Sequence, residues 1–319
     1  MSLFIRKLLY IGGMLGLISL ISFLAIHAAP NSFFAAGELN PNITKESIEH
    51  LKAIYGLDRP LWEQYVRWVW ALLHLDFGLS FASGNSVSSE IASRIPITLT
   101  MNIVSMLFIF FISLRLGIKA ALKAQSPADR AIKQLSLVSF AMPSFYLALL
   151  LILFLSLKLG WFPISGLQSI EPKEGLMKWF DYAWHLAIPI FVMVFGGIGG
   201  LTMYVRSLTL EILKSDYIFF AKARGIDDKN IRKRFIMPNL MPSIVTILGL
   251  SLPGLIGGSV IIESIFSING MGLLFYQSAL SRDYPVIMGI LIITAFLTLL
   301  GNVLADLALW RLNPYAKRG

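Results

Sequence analysis

The sequence predicts an all-α membrane protein of six transmembrane helices, with both termini on the cytoplasmic side and one sizeable exterior segment between the first two spans. Three observations lead there. Hydrophobic residues make up 56% of the 319 positions, charged residues 14%, and the mean hydropathy is +0.72; a water-soluble domain does not keep that balance in solution. Several apolar stretches reach about 20 residues, the length a helix needs to cross a hydrocarbon core of about 30 Å. The basic residues, which give a formal charge of +9, segregate by side, as orientation in a membrane requires.

The apolar windows, bounded by Pro, Gly and charge clusters, place the spans near 9–29, 97–121, 134–157, 184–205, 240–262 and 285–309. With the N-terminus and every second loop on one side, that side holds 18 Lys and Arg against 9 on the other. Two precede the first span (Arg6, Lys7), five lie at the end of the second span and in the loop after it (Arg115, Lys119, Lys123, Arg130, Lys133) and eight lie between the fourth and fifth. The positive-inside bias therefore sets both termini in the cytoplasm. The first span has the charge and the Ala28–Ala29–Pro30 ending of a signal peptide. Its apolar run is longer than the 7–15 residues of a signal core, so an uncleaved anchor is expected. The chain falls into two regions: 1–96, the first transmembrane helix with the exterior segment, and 97–319, a five-helix core with a cytoplasmic loop at 206–239.

In the exterior segment Ile48, Leu51, Ile54 and Tyr55 recur at helical spacing, with Thr44 and Ser47 as candidate caps. Trp62, Tyr65, Trp68 and Trp70 crowd together, as in segments lying at a membrane–water interface. A passive interfacial cover and a docking surface for an exterior partner fit this pattern equally.

Signs of chemistry are sparse. No G-x-x-x-x-G-K-[ST] string occurs, so no phosphate cradle for ATP hydrolysis is expected in this chain. With no cysteine, thiolate metal sites and cysteine nucleophiles are excluded. His27, His50, His74 and His185 are scattered singly, without the i, i+4 pairing of a metal site, and read as interfacial or packing residues. A Gly-x-Ser-x-Gly elbow is also lacking, and neither a catalytic residue nor a metal ligand is assigned. Glu263 and Asp306 lie in or near apolar stretches, where buried charge often marks an ion path. Both fall near predicted span ends, so Glu263 is expected to reach exterior water and Asp306 to pair with Arg311 or a backbone group.

The loop 206–239 reads RSLTLEILKSDYIFFAKARGIDDKNIRKRFIMPN, with eight basic and four acidic residues. Leu210, Leu213, Tyr217, Phe220 and Ala221 follow helical spacing and predict one apolar face. Gly225 should end that helix; Asp227 or Asp228 should cap a second one through IRKRFIM, joined at Pro238 to the fifth span. The product is a helix–glycine–helix elbow. Arg232, Lys233 and Arg234 suit anionic lipid, whereas the Ala221–Lys222–Ala223–Arg224 end suits a groove in a cytoplasmic partner. Periodicity does not choose between them.

The loop resembles the signature of binding-protein-dependent, ATP-binding-cassette importer permeases: Glu-Ala-Ala, three residues, Gly, nine residues, Ile, one residue, Leu-Pro. Counted from Gly225, Ala221 falls on the second alanine and Pro238 on the proline; Phe219 and Phe220 replace Glu-Ala, and Phe235 and Met237 replace Ile and Leu. DYIFFAKARG is similar to the form of the dipeptide, oligopeptide and nickel branch. So are YGLDRPLWEQYVRW (55–68), LDFGLSF (75–81), RIPITLTM (94–101), AMPSF (141–145), GWFPISG (160–166), SIFSINGMG (264–272) and RDYP (282–285), which span nearly the whole chain.

The resemblance implies a type I importer permease fold in a bacterial cytoplasmic (inner) membrane. This chain would form half of the pathway for di- or oligopeptides, or alternatively for nickel or another small solute. The implied partners are a second homologous permease subunit, two ATP-binding-cassette ATPase subunits and an exterior solute-binding protein, besides membrane lipid; no nucleic acid is implied. No cofactor is expected on this chain, ATP and Mg being used by the partner ATPase. Asp216, Tyr217, Phe220, Ala221, Lys222, Ala223, Arg224 and Gly225 would form the ATPase-coupling element. Gly196, Gly197, Gly199, Gly200, Gly249, Gly254, Gly257 and Gly258 permit close helix approach, and Pro143 and Pro253 offer kinks; static packing serves equally for any one glycine. An ion-driven secondary carrier, the reading from another class, requires an internal repeat and mid-span polar groups, of which the sequence offers little.

Overall fold

A computed structural model describes residues 3–28, 58–251 and 254–312. The chain divides into two compact units, one of residues 1–96 with 270–300 and the other of 97–269 with 301–319. Among the described residues the regular structure is helical, apart from an isolated antiparallel bridge between Leu79 and Ser86. The helices are α1 (Leu3–Ala28), α2 (Leu61–Leu73), α3 (Val87–Leu122), α4 (Pro127–Ala141), α5 (Ser144–Leu151), α6 (Gly175–Leu213) and α7 (Asp216–Ala223). They continue with α8 (Asp228–Ile231), α9 (Met237–Ser251), α10 (Gly254–Gly257), α11 (Val260–Ile265), α12 (Met271–Ser281) and α13 (Tyr284–Leu312).

Four stretches are long and apolar enough to cross a membrane: Val87–Leu122, Gly175–Leu213, Asp228–Ser251 and Tyr284–Val303. A bent pair, Pro127–Ala141 with Ser144–Lys158, makes a fifth if it is one span. The first helix is apolar over Leu9–Ala25.

Two predicted spans take a different form. The third is not straight: α4 and α5 meet at 97°, and the corner is Met142–Pro143, where Met142 is extended (φ −79, ψ 120). A proline pushes the residue before it out of the helical region and brings no N–H of its own, so the ladder stops there. The helix of the fifth begins at Asp228 and ends at Ser251, about ten residues before the predicted end. The apolar residues beyond it form the short helices α10 and α11, separated by Gly258 at φ +68, a left-handed conformation that glycine adopts without strain. Pro253 lies outside the described residues.

In the first unit, α2 is pinned to α1 by Ser19 Oγ and Tyr65 OH at 2.9 Å and by His27 Nε2 and Gln64 Oε1 at 3.2 Å. Phe23 meets the rings of Tyr65 and Trp68. The opposite face of α2 leaves Trp62, Val66, Trp70 and Leu73 exposed, the pattern of an interfacial helix. Glu63 hydrogen-bonds Arg59, whose guanidinium holds its carboxyl below the usual range. The predicted helix around Ile48–Tyr55, with Thr44, Ser47 and His50, lies outside the described residues. A core of Val87, Ile91, Met271, Leu274, Val286 and Ile290 joins α3, α12 and α13. Beside it, buried Asp283 accepts from Ser80 Oγ at 2.5 Å, Phe81 N–H at 3.0 Å and Ala82 N–H at 3.2 Å, clasping the 75–86 loop to the turn before α13.

In the second unit, α6 is the central helix. Ser113 Oγ on α3 donates to Ile198 O at 3.2 Å. Ser139 Oγ on α4 accepts from Gly199 N–H at 3.0 Å and donates to Phe195 O, the two backbone groups that an α-helix pairs at i and i−4. Glu263 on α11 corrects the expectation that it reaches exterior water: the residue is 1% exposed and accepts from Thr98 Oγ1 at 3.1 Å, because α11 turns that side chain toward α3. The Asp306 and Arg311 side chains lie outside the described residues.

Candidate functional site

The elbow is built on the end of α6. Lys214 and Ser215 break the helix, with Ser215 Oγ donating to Ile212 O at 2.5 Å, and α7 starts at Asp216. The predicted apolar face of one continuous helix is therefore corrected. Beyond the break the buried residues are Ile218 (1% exposed) and Ala221 (5%), whereas Tyr217 and Phe220 point outward. The turn at Lys214–Ser215 resets the 3.6-residue count, so the two sides of it do not share one face.

Gly225 closes α7. Its φ is +74; its N–H donates to Lys222 O at 2.9 Å, and the Ile226 N–H reaches back to Ala221 O at 3.1 Å. This is the paired 5→2 and 6→1 arrangement of a Schellman cap, in which the left-handed residue is usually glycine. Asp227 then stands at the cap of α8 without a side-chain cap bond; its Oδ1 accepts instead from Asn230 Nδ2 at 2.5 Å. The second helix of the elbow runs through a π-turn, Arg232–Ile236, into α9.

The short α7 is thus held from beneath and bare on top. Ile218, Ile226 and Ile231 enter one apolar cluster with Leu114, Ile118, Val205 and Ile212. Phe219 (69% exposed) and Phe220 (61%) stand side by side on the outer surface, ring centroids 5.7 Å apart, with Asp216, Lys222, Ala223, Arg224 and Gly225 exposed around them. Tyr217 stacks on Phe235 of the second helix at 6.3 Å, bracing the two arms. Chemically this surface offers an aromatic knob ringed by charge, a form suited to a groove in another protein.

One support of the site escaped the sequence reading. Asp129, fully buried at the start of α4, pairs with Arg206 on α6 through both carboxylate oxygens, accepts from Gln125 N–H at 2.9 Å and has Lys133 Nζ at 3.7 Å. This clamp lies on the same helix as the elbow, two turns before its break. A local signal existed: Ser126 and Asp129 form an S-x-x-D helix start, and Ser126 Oγ does cap Asp129 N–H.

Of the glycines, Gly197 lies against Ile109, and Gly199 against Ser136 O and Ser139 Oγ, so neither has room for a Cβ. Gly196, Gly200, Gly254 and Gly257 have open space there. Gly117, not singled out in the sequence, is the tight one on α3: a Cβ would stand 2.7 Å from Val205 and 2.8 Å from Thr202 O. Pro143 stands at the α4–α5 corner. Among the described residues no group of three His, Asp or Glu is placed to hold a metal ion; His27, His74 and His185 each bond a backbone carbonyl four residues back.

Comparison with known proteins adds the family. Residues 113–318 match the model of the binding-protein-dependent transport system inner membrane component, and residues 1–102 match that of its N-terminal region. The chain is 36% identical over 310 residues to the oligopeptide transport system permease protein AppB of Bacillus subtilis (strain 168), covering 97% of this chain and 96% of that protein. It is 30% identical over 317 residues to the dipeptide transport system permease protein DppB of Escherichia coli (strain K12), 93% of each being covered. Among solved structures, an inward-facing MetNI methionine ABC transporter chain aligns with a TM-score of 0.55 at 19% identity, over 70% of this chain and 96% of that one; the likeness is one of fold. The chain belongs to the family of binding-protein-dependent transport system inner membrane components and is a multi-pass permease subunit of an ATP-binding-cassette importer.

Proposed function

We propose that this subunit forms half of a translocation pathway for di- or oligopeptides in a bacterial inner membrane and is driven by a separate ATPase docked on α7. The observation that carries the reading is the exposed Phe219–Phe220 pair on a short helix whose other face, Ile218 and Ala221, is buried. A knob held in that way transmits a push to the helix that carries it, here α6. The peptide cargo rests on the AppB and DppB likenesses over nearly the full chain. In this reading the chain crosses the membrane six times with both termini in the cytoplasm: α1 is the first span and the bent α4–α5 pair the third. A second homologous permease completes the pathway, two ATP-binding-cassette subunits bind ATP and Mg, and an exterior binding protein delivers the solute.

The test is to extract the tagged chain gently from its native membrane and identify what co-purifies by mass spectrometry. A second permease and P-loop ATPases are expected, and the ligand retained by a co-purifying binding protein names the cargo: a peptide, or a nickel chelate on the alternative reading. Recovery of the chain alone, under conditions that keep related importers intact, overturns the coupling role of α7 and turns attention to buried Glu263 as a residue of an ion-driven carrier.

A further inference from the structure

The start of the helix that runs from Asp228 to Ser251 carries a feature that coupling does not use. Its buried stripe is Ile231, Ile236, Leu240 and Ile244, spaced by five, four and four residues. An α-helix returns to the same face after three or four residues; a step of five needs one residue more. The π-turn supplies it: Met237 N–H donates to Arg232 O, five residues back. The extra residue keeps Ile231 and Ile236 on the inner face and turns out the three side chains between them, Arg232, Lys233 and Arg234, all exposed. π-Turns of this kind are frequent at functional sites.

Depth and charge say what these side chains meet. The triplet lies in the first turns of a helix, Asp228–Ser251, that is long and apolar enough to cross a membrane; with this end in the cytoplasm, the three cations come within reach of lipid phosphates. Among the described residues no carboxylate lies within ion-pairing distance of them, Asp228 one turn before Arg232 included, and the neighbouring Asp227 is bonded to Asn230. We propose that Arg232, Lys233 and Arg234, set outward by the π-turn, form a headgroup site for an anionic phospholipid at the membrane end of the elbow. The importer reading enters only in placing this end on the cytoplasmic side. A lipid bound there loads the arm that Tyr217 and Phe235 brace against α7, so the anionic lipid content of the membrane sets how firmly the elbow is held.

Native mass spectrometry of the full chain, offered equimolar dioleoyl phosphatidylglycerol and dioleoyl phosphatidylcholine, tests this. Wild type should retain phosphatidylglycerol preferentially. Removing one charge with Lys233→Gln should lower the preference about fivefold, the factor for roughly 1 kcal/mol per basic residue near an anionic surface. The triple variant Arg232→Gln, Lys233→Gln, Arg234→Gln should lose about a hundredfold on the same scale, while Arg232→Lys with Arg234→Lys keeps the preference. The single variant alters one exposed side chain and stays informative if the triple variant does not fold. An unchanged preference in the glutamine variants overturns the proposal; if those variants instead lose the ATPase from the tagged complex, the triplet belongs to the protein partner. Failure of the importer reading is separate: wild type then brings down no ATPase, whatever the lipid ratio.

Discussion

Asp129 and Arg206 meet in a two-pronged ion pair between α4 and α6, Nε to Oδ1 at 2.7 Å and Nη2 to Oδ2 at 2.9 Å. The carboxylate is fully buried and the guanidinium side chain only 15% exposed. Removing one member of such a pair leaves an uncompensated charge, which costs about 3–5 kcal/mol when burial is complete. Asp129→Asn is therefore expected to destabilise the purified protein by an amount near the lower end, about 3 kcal/mol, and so to lower its thermal midpoint. Arg206→Met added to Asp129→Asn should recover most of it, since no charge then remains to bury. Lys133→Ala, which removes a more exposed and distant partner, should change stability by less than about 1 kcal/mol. Thermal unfolding in detergent checks all three, and equal midpoints for Asp129→Asn and wild type would exclude the clamp.

Gly225 is constrained by its backbone and not by space. Its φ of +74 is one that L side chains rarely adopt, yet nothing lies within 4 Å of where a Cβ would stand. Gly225→Val should strain the cap by about 1–2 kcal/mol without disturbing the core, leaving the protein in the membrane at wild-type level. Uptake by the assembled transporter should fall while ATP hydrolysis persists. Gly225→Asn, whose side chain tolerates this region, should transport far better than the valine variant; equal transport by valine and wild type would remove the elbow from the mechanism.

On the coupling reading proposed above, the two faces of α7 should separate docking from folding. Phe219→Ala with Phe220→Ala should release the ATPase from the complex and leave the thermal midpoint of the isolated chain unchanged, because both rings are exposed. Ile218→Ala should do the reverse in isolation, costing about 2–5 kcal/mol as a large-to-small core change. Co-purification and thermal unfolding, read on the same preparations, distinguish the two; a destabilised double-alanine variant would mean that the aromatic pair packs within the chain.

Glycines in the spans divide by what faces them. Gly117→Ala sets a Cβ 2.7 Å from Val205, an overpacking expected to cost about 1–3 kcal/mol. Gly200→Ala meets nothing within 4 Å and should be neutral or stabilising by up to about 1 kcal/mol, the gain in helix propensity. Thermal midpoints that rank the two the other way would contradict the helix contacts described for α3 and α6.

Much of this molecule is legible without coordinates because lipid imposes a strong rule on sequence. Runs of apolar residues long enough to cross the hydrocarbon announce the helices at α3, α6 and α13, and the loop signature around Gly225 announces the family. The left-handed cap at Gly225 follows from a local rule in the same way. Span edges were less legible: α6 continues to Leu213, well past the last apolar window residue, because a helix does not stop where the membrane does.

The sequence by itself determined the all-helical membrane class, the place of the elbow and the residue that ends its first arm, since each depends on composition or on contacts a few residues apart. Only the tertiary structure decided which face of α7 is bare, that Glu263 is buried against Thr98, that Ser139 bridges Gly199 and Phe195, and that Asp129 grips Arg206 from 77 residues away. Those outcomes depend on breaks that reset helical phase, at Ser215 and Pro143, and on which helices then come within hydrogen-bond reach. Apolar periodicity carries no record of partners distant in the chain.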